Sequence, residues 1–205
     1  MSGTFSGSVF LYPFLSYGRS LTNFSENKEV PSCFVVNYVY LCLKQKKIIL
    51  MKKEDFMKLA ITLSIENVKN GGGPFGAVIV KDDQVIATGV NRVTSNHDPT
   101  AHAEVSAIRS ACALLRTFDL SGCDIYTSCE PCPMCLGAIY WAHIDHIYYG
   151  NNKNDAAAIG FDDSFIYEEM ALDRQDRKKK MTELLHDEAL QAFEAWKNKS
   201  DKVEY

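Results

Sequence analysis

The sequence predicts an α/β fold: a mixed sheet with helices on both faces. Three observations predict it. From Met51 onward, helical and strand patterns alternate as helix, hairpin, helix, strand, helix, strand, helix. The hairpin makes an antiparallel pair, whereas the later strands are separated by helices, the arrangement that makes neighbouring strands parallel. The composition, 46% hydrophobic and 23% charged over 205 residues, is that of an ordinary globular domain and excludes collagen-like, disordered and disulfide-scaffold chains.

Each element has its own signal. Residues 52–69 place Phe56, Leu59, Ala60 and Leu63 on one face and stop at Asn70-Gly71, a helix with a glycine terminator. Residues 75–80, FGAVIV, and the segment VIATGVN flank the polar turn Lys81–Gln84 and form a hairpin. Residues 102–116 set Val105, Ile108, Cys112 and Leu115 on one helical stripe. DIYTS at 124–128 is a strand, Cys132 to Ala142 a helix, and HIYYG at 146–150 a strand. A final helix spans 182–197, with Thr182 as its N-cap and Leu185, Ala189, Phe193 and Trp196 on one face. No internal repeat is present.

Residues 1–50 differ in character. They hold nine of the 23 aromatics without clear periodicity and carry five Lys/Arg against two Glu, whereas the remainder carries 17 basic and 24 acidic residues. The expectation is that Met51 is the true start and that 1–50 is translated upstream sequence; a genuine N-terminal extension is the alternative. The acidic remainder disfavours a nucleic-acid duplex as partner, because phosphates call for a basic face. The longest apolar run, CFVVNYVYLCL, has 11 residues, short of the roughly 18 a membrane span needs. With no signal peptide evident, the seven cysteines point to the cytoplasm, where close-spaced thiols serve metal or catalytic sites.

Two segments carry the chemistry: PTAHAEV, with His102 and Glu104, and SCEPCPMC, with Cys129, Cys132 and Cys135. One His and two Cys supply three ligands for tetrahedral Zn²⁺ and leave the fourth position open, the catalytic rather than the closed structural arrangement. Cys132 and Cys135 are three apart and share a helical face, and thiols at a helix start have lowered pKa values. A carboxylate beside zinc-activated water can carry its proton to a substrate. H-x-E with a downstream P-C-x-x-C is the pattern of zinc-dependent deaminases. A redox pair lacks its thioredoxin-like context. A structural zinc knuckle with Cys129 as fourth ligand would make His102 and Glu104 coincidental.

Beyond these motifs, the chain from Met51 to Tyr205 resembles the cytidine-deaminase-like superfamily and, within it, the bacterial guanine deaminases. The resemblance rests on GGPFGAVIVKD at 72–82, HDPTAHAEV at 97–105, YTSCEPCPMCLGAIYWA at 126–142, AIGFDDSFIYEE at 158–169 and the terminal EY. It implies a three-layer α/β/α fold around a central five-stranded mixed sheet, and hydrolysis of guanine to xanthine and ammonia. It also implies zinc on His102, Cys132 and Cys135, with Glu104 as proton shuttle and Asp163 assisting at the purine amine. Asn91, Ala103, Phe75, Trp141 and Tyr205 fall at substrate-binding positions. The last of these would close a partner subunit's pocket in a domain-swapped homodimer. Plainer roles compete: Phe75 and Trp141 as core, Asn91 in a turn, Asp163 as a helix N-cap, Tyr205 as a frayed end.

Rival functions stay within reach of the same pattern. A tRNA adenosine deaminase shares the HDPTAHAE block but calls for a basic RNA-binding face. Guanosine or cytosine deamination differs only in pocket detail. An inactive, zinc-stabilised interaction module would have no use for Glu104, which is not a ligand.

Overall fold

The computed structural model describes residues 51–204. The expectation for residues 1–50, and Tyr205 itself, lie outside the described residues.

Helix α1 (Lys53–Lys69) buries Phe56 and Ala60, as its periodicity predicts, and ends at Asn70 with Gly71 in the left-handed region (φ 80°). Strands β1 (Gly76–Lys81) and β2 (Gln84–Val90) pair antiparallel. Their turn places Asp82 and Asp83 at φ 50° and 57°, which suits the right-handed twist of the flanking strands. A short helix, α2 (Val93–Asn96), follows, then α3 (Ala103–Leu115), β3 (Cys123–Cys129), α4 (Pro133–Trp141) and β4 (His146–Asn151). Helices α5 (Lys153–Ala158), α6 (Ser164–Ala171) and α7 (His186–Asn198) complete the order.

The sheet runs β2-β1-β3-β4, with β3 antiparallel to β1 and parallel to β4. The five-stranded sheet implied by the resemblance is therefore corrected to four strands among the described residues. The chain after α6, residues 172–185 (LDRQDRKKKMTELL), contains eight charged residues and no apolar alternation, so nothing there adds a strand beside β4.

Period-two alternation splits the core between two faces. Ala77, Ile79 and Ile125 join Ala103, Ala107, Ala111 and Ile139 against α3 and α4. Val78, Val80 and Tyr126 join Phe56 and Ala60 against α1. The α3 stripe is partly as expected: Val105 is buried and Ile108 and Cys112 are half-buried against the core, but Leu115 is exposed, and Ala103, Ala107 and Ala111 are the fully buried residues. The cause is Gly89. A Cβ there would stand 2.2 Å from the Ala103 carbonyl oxygen and 2.4 Å from the Ala107 nitrogen, so the helix backbone rests directly on β2 and only small residues fit beneath it.

The last helix also departs from expectation. It begins at His186 rather than near Thr182, with Leu185 in the left-handed region at φ 55° and no side-chain cap. All of α7 is exposed, including Phe193 at 74% and Trp196 at 43%. Among the described residues no helix is long and apolar enough to cross a membrane.

Candidate active site

The topology brings two helix starts together beside β3. His102 is the N-cap of α3 and Cys132 the N-cap of α4, both with extended backbone (ψ 162° and 167°). Pro133 at the first helical position fixes the turn that sets Cys135 next to Cys132. His102 Nδ1 lies 3.5 Å from Cys132 Sγ and 3.4 Å from Cys135 Sγ. The three ligand atoms all fall within 4.8 Å of one another.

These separations suit zinc. With Zn–N near 2.0–2.1 Å and Zn–S near 2.3 Å, a tetrahedral site spaces nitrogen and sulfur by about 3.6 Å. The electrostatics agree. The Cys132 thiol is drawn down to about 4, chiefly by its hydrogen bond with Cys135 and then by the His102 ring, against the opposing effect of burial. Cys135 is pushed far up, first by sharing that hydrogen bond and then by burial. The opposite shifts favour loss of the Cys132 proton first, and a bound metal would draw off the second. Cys129 is not part of the cluster: its Sγ faces the Asn152 carbonyl at 3.8 Å, and burial pushes its thiol to about 11. The three-ligand arrangement is the one with an open position.

Glu104, one residue into α3 from His102's neighbour Ala103, is 6% exposed. Burial raises its pKa above the ordinary carboxylate value. Thr127 Oγ1 lies 3.3 Å from Glu104 Oε1 and 2.9 Å from the Cys129 carbonyl, and is able to donate to either. Thr127 went unnoticed in the sequence, although Ile125, Thr127 and Cys129 share the β3 face that meets α3.

The loop before His102 is tied down. Asp98 Oδ1 accepts from Thr100 N (2.8 Å) and Thr100 Oγ1 (2.7 Å), and Arg109 reaches both residues at 3.3–3.4 Å. Arg92 N donates to the Ala101 carbonyl at 2.8 Å, linking the end of β2 to the residue before His102.

The other residues singled out in the sequence occupy varied places. Asn91 is 8% exposed, and its Oδ1 accepts from Val93 N at 3.3 Å. Phe75 packs against the core and meets Phe161 edge-on, with ring centroids 4.9 Å apart. Ala103 is fully buried. Asp163 precedes α6 but makes no side-chain cap hydrogen bond. Its carboxyl is raised by burial and next by the negative charge on Cys132. Trp141 stands 66% exposed at the far end of α4, away from the cysteines. His97, His143, His146 and His186 are exposed.

The family described as the cytidine and deoxycytidylate deaminase zinc-binding region matches residues 50–151, a stretch that includes all four of His102, Glu104, Cys132 and Cys135. Fold and site together therefore define a deaminase of this zinc-binding type. Guanine deaminase of Bacillus subtilis (strain 168) is 53% identical over 156 residues, covering 76% of this chain and all of the relative. An X-ray structure of guanine deaminase from Bacillus subtilis matches with a TM-score of 0.74 at 53% identity, over 76% of this chain and 99% of that one. A guanine deaminase from Nitrosomonas europaea matches at 37% identity and a TM-score of 0.54, over 56% of this chain and 66% of that one. The tRNA-specific adenosine deaminase of Aquifex aeolicus (strain VF5) is 40% identical over 99 residues, 48% of this chain and 66% of the relative. The chain belongs to the guanine deaminase family.

Proposed function

We propose that this chain hydrolyses guanine to xanthine and ammonia. The observation that carries the reading is the match to a guanine deaminase along that relative's whole length at 53% identity. The His102, Cys132, Cys135 and Glu104 constellation supports it with the necessary chemistry.

In this reading His102, Cys132 and Cys135 hold zinc, which supplies Lewis acidity and makes water nucleophilic at neutral pH. Glu104 takes the proton of the attacking water on its carboxylate and delivers it to the ring nitrogen beside the amine-bearing carbon. Its raised pKa suits a group that must both accept and release a proton. Asp163 provides a second carboxyl for protonating the departing amine. Asn91 and the Ala103 main chain hydrogen-bond the purine. Phe75 is its aromatic neighbour, and Tyr205 is a lid contributed by a second copy in a domain-swapped homodimer. The exposed apolar side chains of α7, Leu190, Phe193 and Trp196, support such a partner, since an amphipathic helix gains stability by burying that face. The enzyme would work in the cytoplasm.

A spectrophotometric assay of the purified, zinc-loaded protein against guanine, guanosine, adenine, cytosine and tRNA tests the reading. Turnover of guanine well above the others is expected. Preferential turnover of tRNA adenosine, which the acidic body of residues 51–205 disfavours, would overturn it.

A further inference from the structure

Asn67 lies in the last turn of α1, just before the exposed Val68, Lys69 and Asn70, yet is itself only 8% exposed. Its Nδ2 gives both hydrogens to main-chain carbonyls, that of Gly73 at 2.8 Å and that of Asn91 at 2.8 Å. A carboxamide can bridge two acceptors this way because one nitrogen carries two donors. The Asn67 main-chain carbonyl accepts from Gly72 N at 2.8 Å. The chain wraps closely around the side chain: a Cβ on Gly72 would stand 2.3 Å from Asn67 Nδ2, and a Cβ on Gly73 would stand 3.1 Å from Asn91 Cγ. Asn91 N in turn donates to the Phe75 carbonyl at 3.2 Å. The Gly73–Phe75 segment and Asn91 therefore form one hydrogen-bonded unit with Asn67 at its centre. A hollow of about 220 Å³ borders Asn67, Gly72, Asn91 and Arg92, so on that side hydrogen bonds rather than packed side chains hold the unit in place.

We infer that Asn67 is a positioning residue for purine binding, fixing through the main chain where the Asn91 carboxamide and the Phe75 ring stand. This rests on the proposal that Asn91 and Phe75 contact the purine. A residue that merely finished α1 would affect stability alone. One that positions the purine contacts would affect KM for guanine, and through the same route as Asn91.

The test is steady-state kinetics of full-length, zinc-loaded Asn67→Ala, Asn91→Ala and the double variant, with zinc content measured on each. Asn67→Ala is expected to raise KM for guanine about tenfold while kcat stays within about threefold and zinc content is unchanged. In the Asn91→Ala background the same substitution should add less than it does alone, because one of the two contacts it positions is already gone. Gly73→Ala provides a second arm should Asn67→Ala fail to fold: it presses on the Asn91 carboxamide without removing a hydrogen bond, and should also raise KM. Unchanged KM in Asn67→Ala, or in Gly73→Ala should it stand in, or a full Asn67 effect persisting without the Asn91 side chain, overturns the inference alone. Wild-type KM in Asn91→Ala overturns the purine-contact reading, and the inference with it.

Discussion

Thr127 sets one buried hydroxyl beside the carboxylate proposed to move protons. Thr127→Val keeps the shape but removes the one buried donor that Glu104 Oε1 and the Cys129 carbonyl share. A loss of about 1–3 kcal/mol in stability is expected, together with a fall in kcat at full zinc content. Thr127→Ser should recover kcat, since it returns the hydroxyl. Thermal melts, kinetics and elemental analysis check this. Cys132→Ala and His102→Ala should lose zinc and lower Tm, because a metal bound only by the folded chain contributes to folding. Retention of one zinc per chain in either variant would remove that residue from the ligand set. At this scale much was legible: His102, Glu104, Cys132 and Cys135 announce themselves through spacing and residue type. Thr127 and Asn67 did not, because a threonine in a strand and an asparagine in a helix have many ordinary uses. Only their partners, distant in sequence, give them meaning.

At the scale of elements, the approach of α3 to β2 through Gly89 sets the position of both His102 and Glu104. Gly89→Ala should force the helix off the strand and cost about 1–3 kcal/mol, with weakened zinc retention. Denaturant melts and metal analysis read both effects. The loop before α3 has a pH signature. Asp98 lies below its ordinary value of 3.8, first because the Thr100 hydroxyl and then the Thr100 N–H donate to its carboxylate, with Arg109 adding to the effect. A depressed pKa means the folded chain holds the proton more weakly than the unfolded chain. The stabilisation is therefore present above pH 3.8 and disappears as pH falls through the lower folded value. The Tm difference between wild type and Asp98→Ala should be constant at neutral pH and narrow in acid. The helices were legible where large apolar residues mark the period. The α3 stripe missed its innermost residues because alanines carry little hydrophobic weight in a sequence, although a glycine on the facing strand brings them closest to the sheet. Helices α5 and α6, of six and eight residues, are too short to show a period, but Asn152 capping α5 with Asp155 three residues on is a signal the sequence did contain. Thr182 suggested an N-cap by residue type, whereas the helix starts after a left-handed Leu185.

At the scale of the molecule, four strands and the helices against them were legible in the pattern from Met51, while the fifth strand came from the resemblance and is not found among the described residues. The exposed apolar face of α7 belongs to this scale as well, since no residue of the helix is buried among the described residues. Removing residues 203–205 should leave zinc content and helical content intact while guanine turnover falls. Mixing that truncated chain with Glu104→Gln should restore some activity if each site takes its lid from the other copy. No restoration would place the lid within its own subunit, and full activity of the truncated chain would remove the lid altogether. The central claim, that zinc on His102, Cys132 and Cys135 works with Glu104 to deaminate guanine, is tested most directly by one paired measurement. Wild type and Glu104→Gln are assayed for ammonia release from guanine, with zinc determined on the same samples. The account predicts one zinc per chain in both and a turnover lower by at least about a hundredfold in Glu104→Gln, the range general acid–base groups contribute. Turnover within about tenfold of wild type, roughly 1.4 kcal/mol in barrier, with zinc retained, would contradict it.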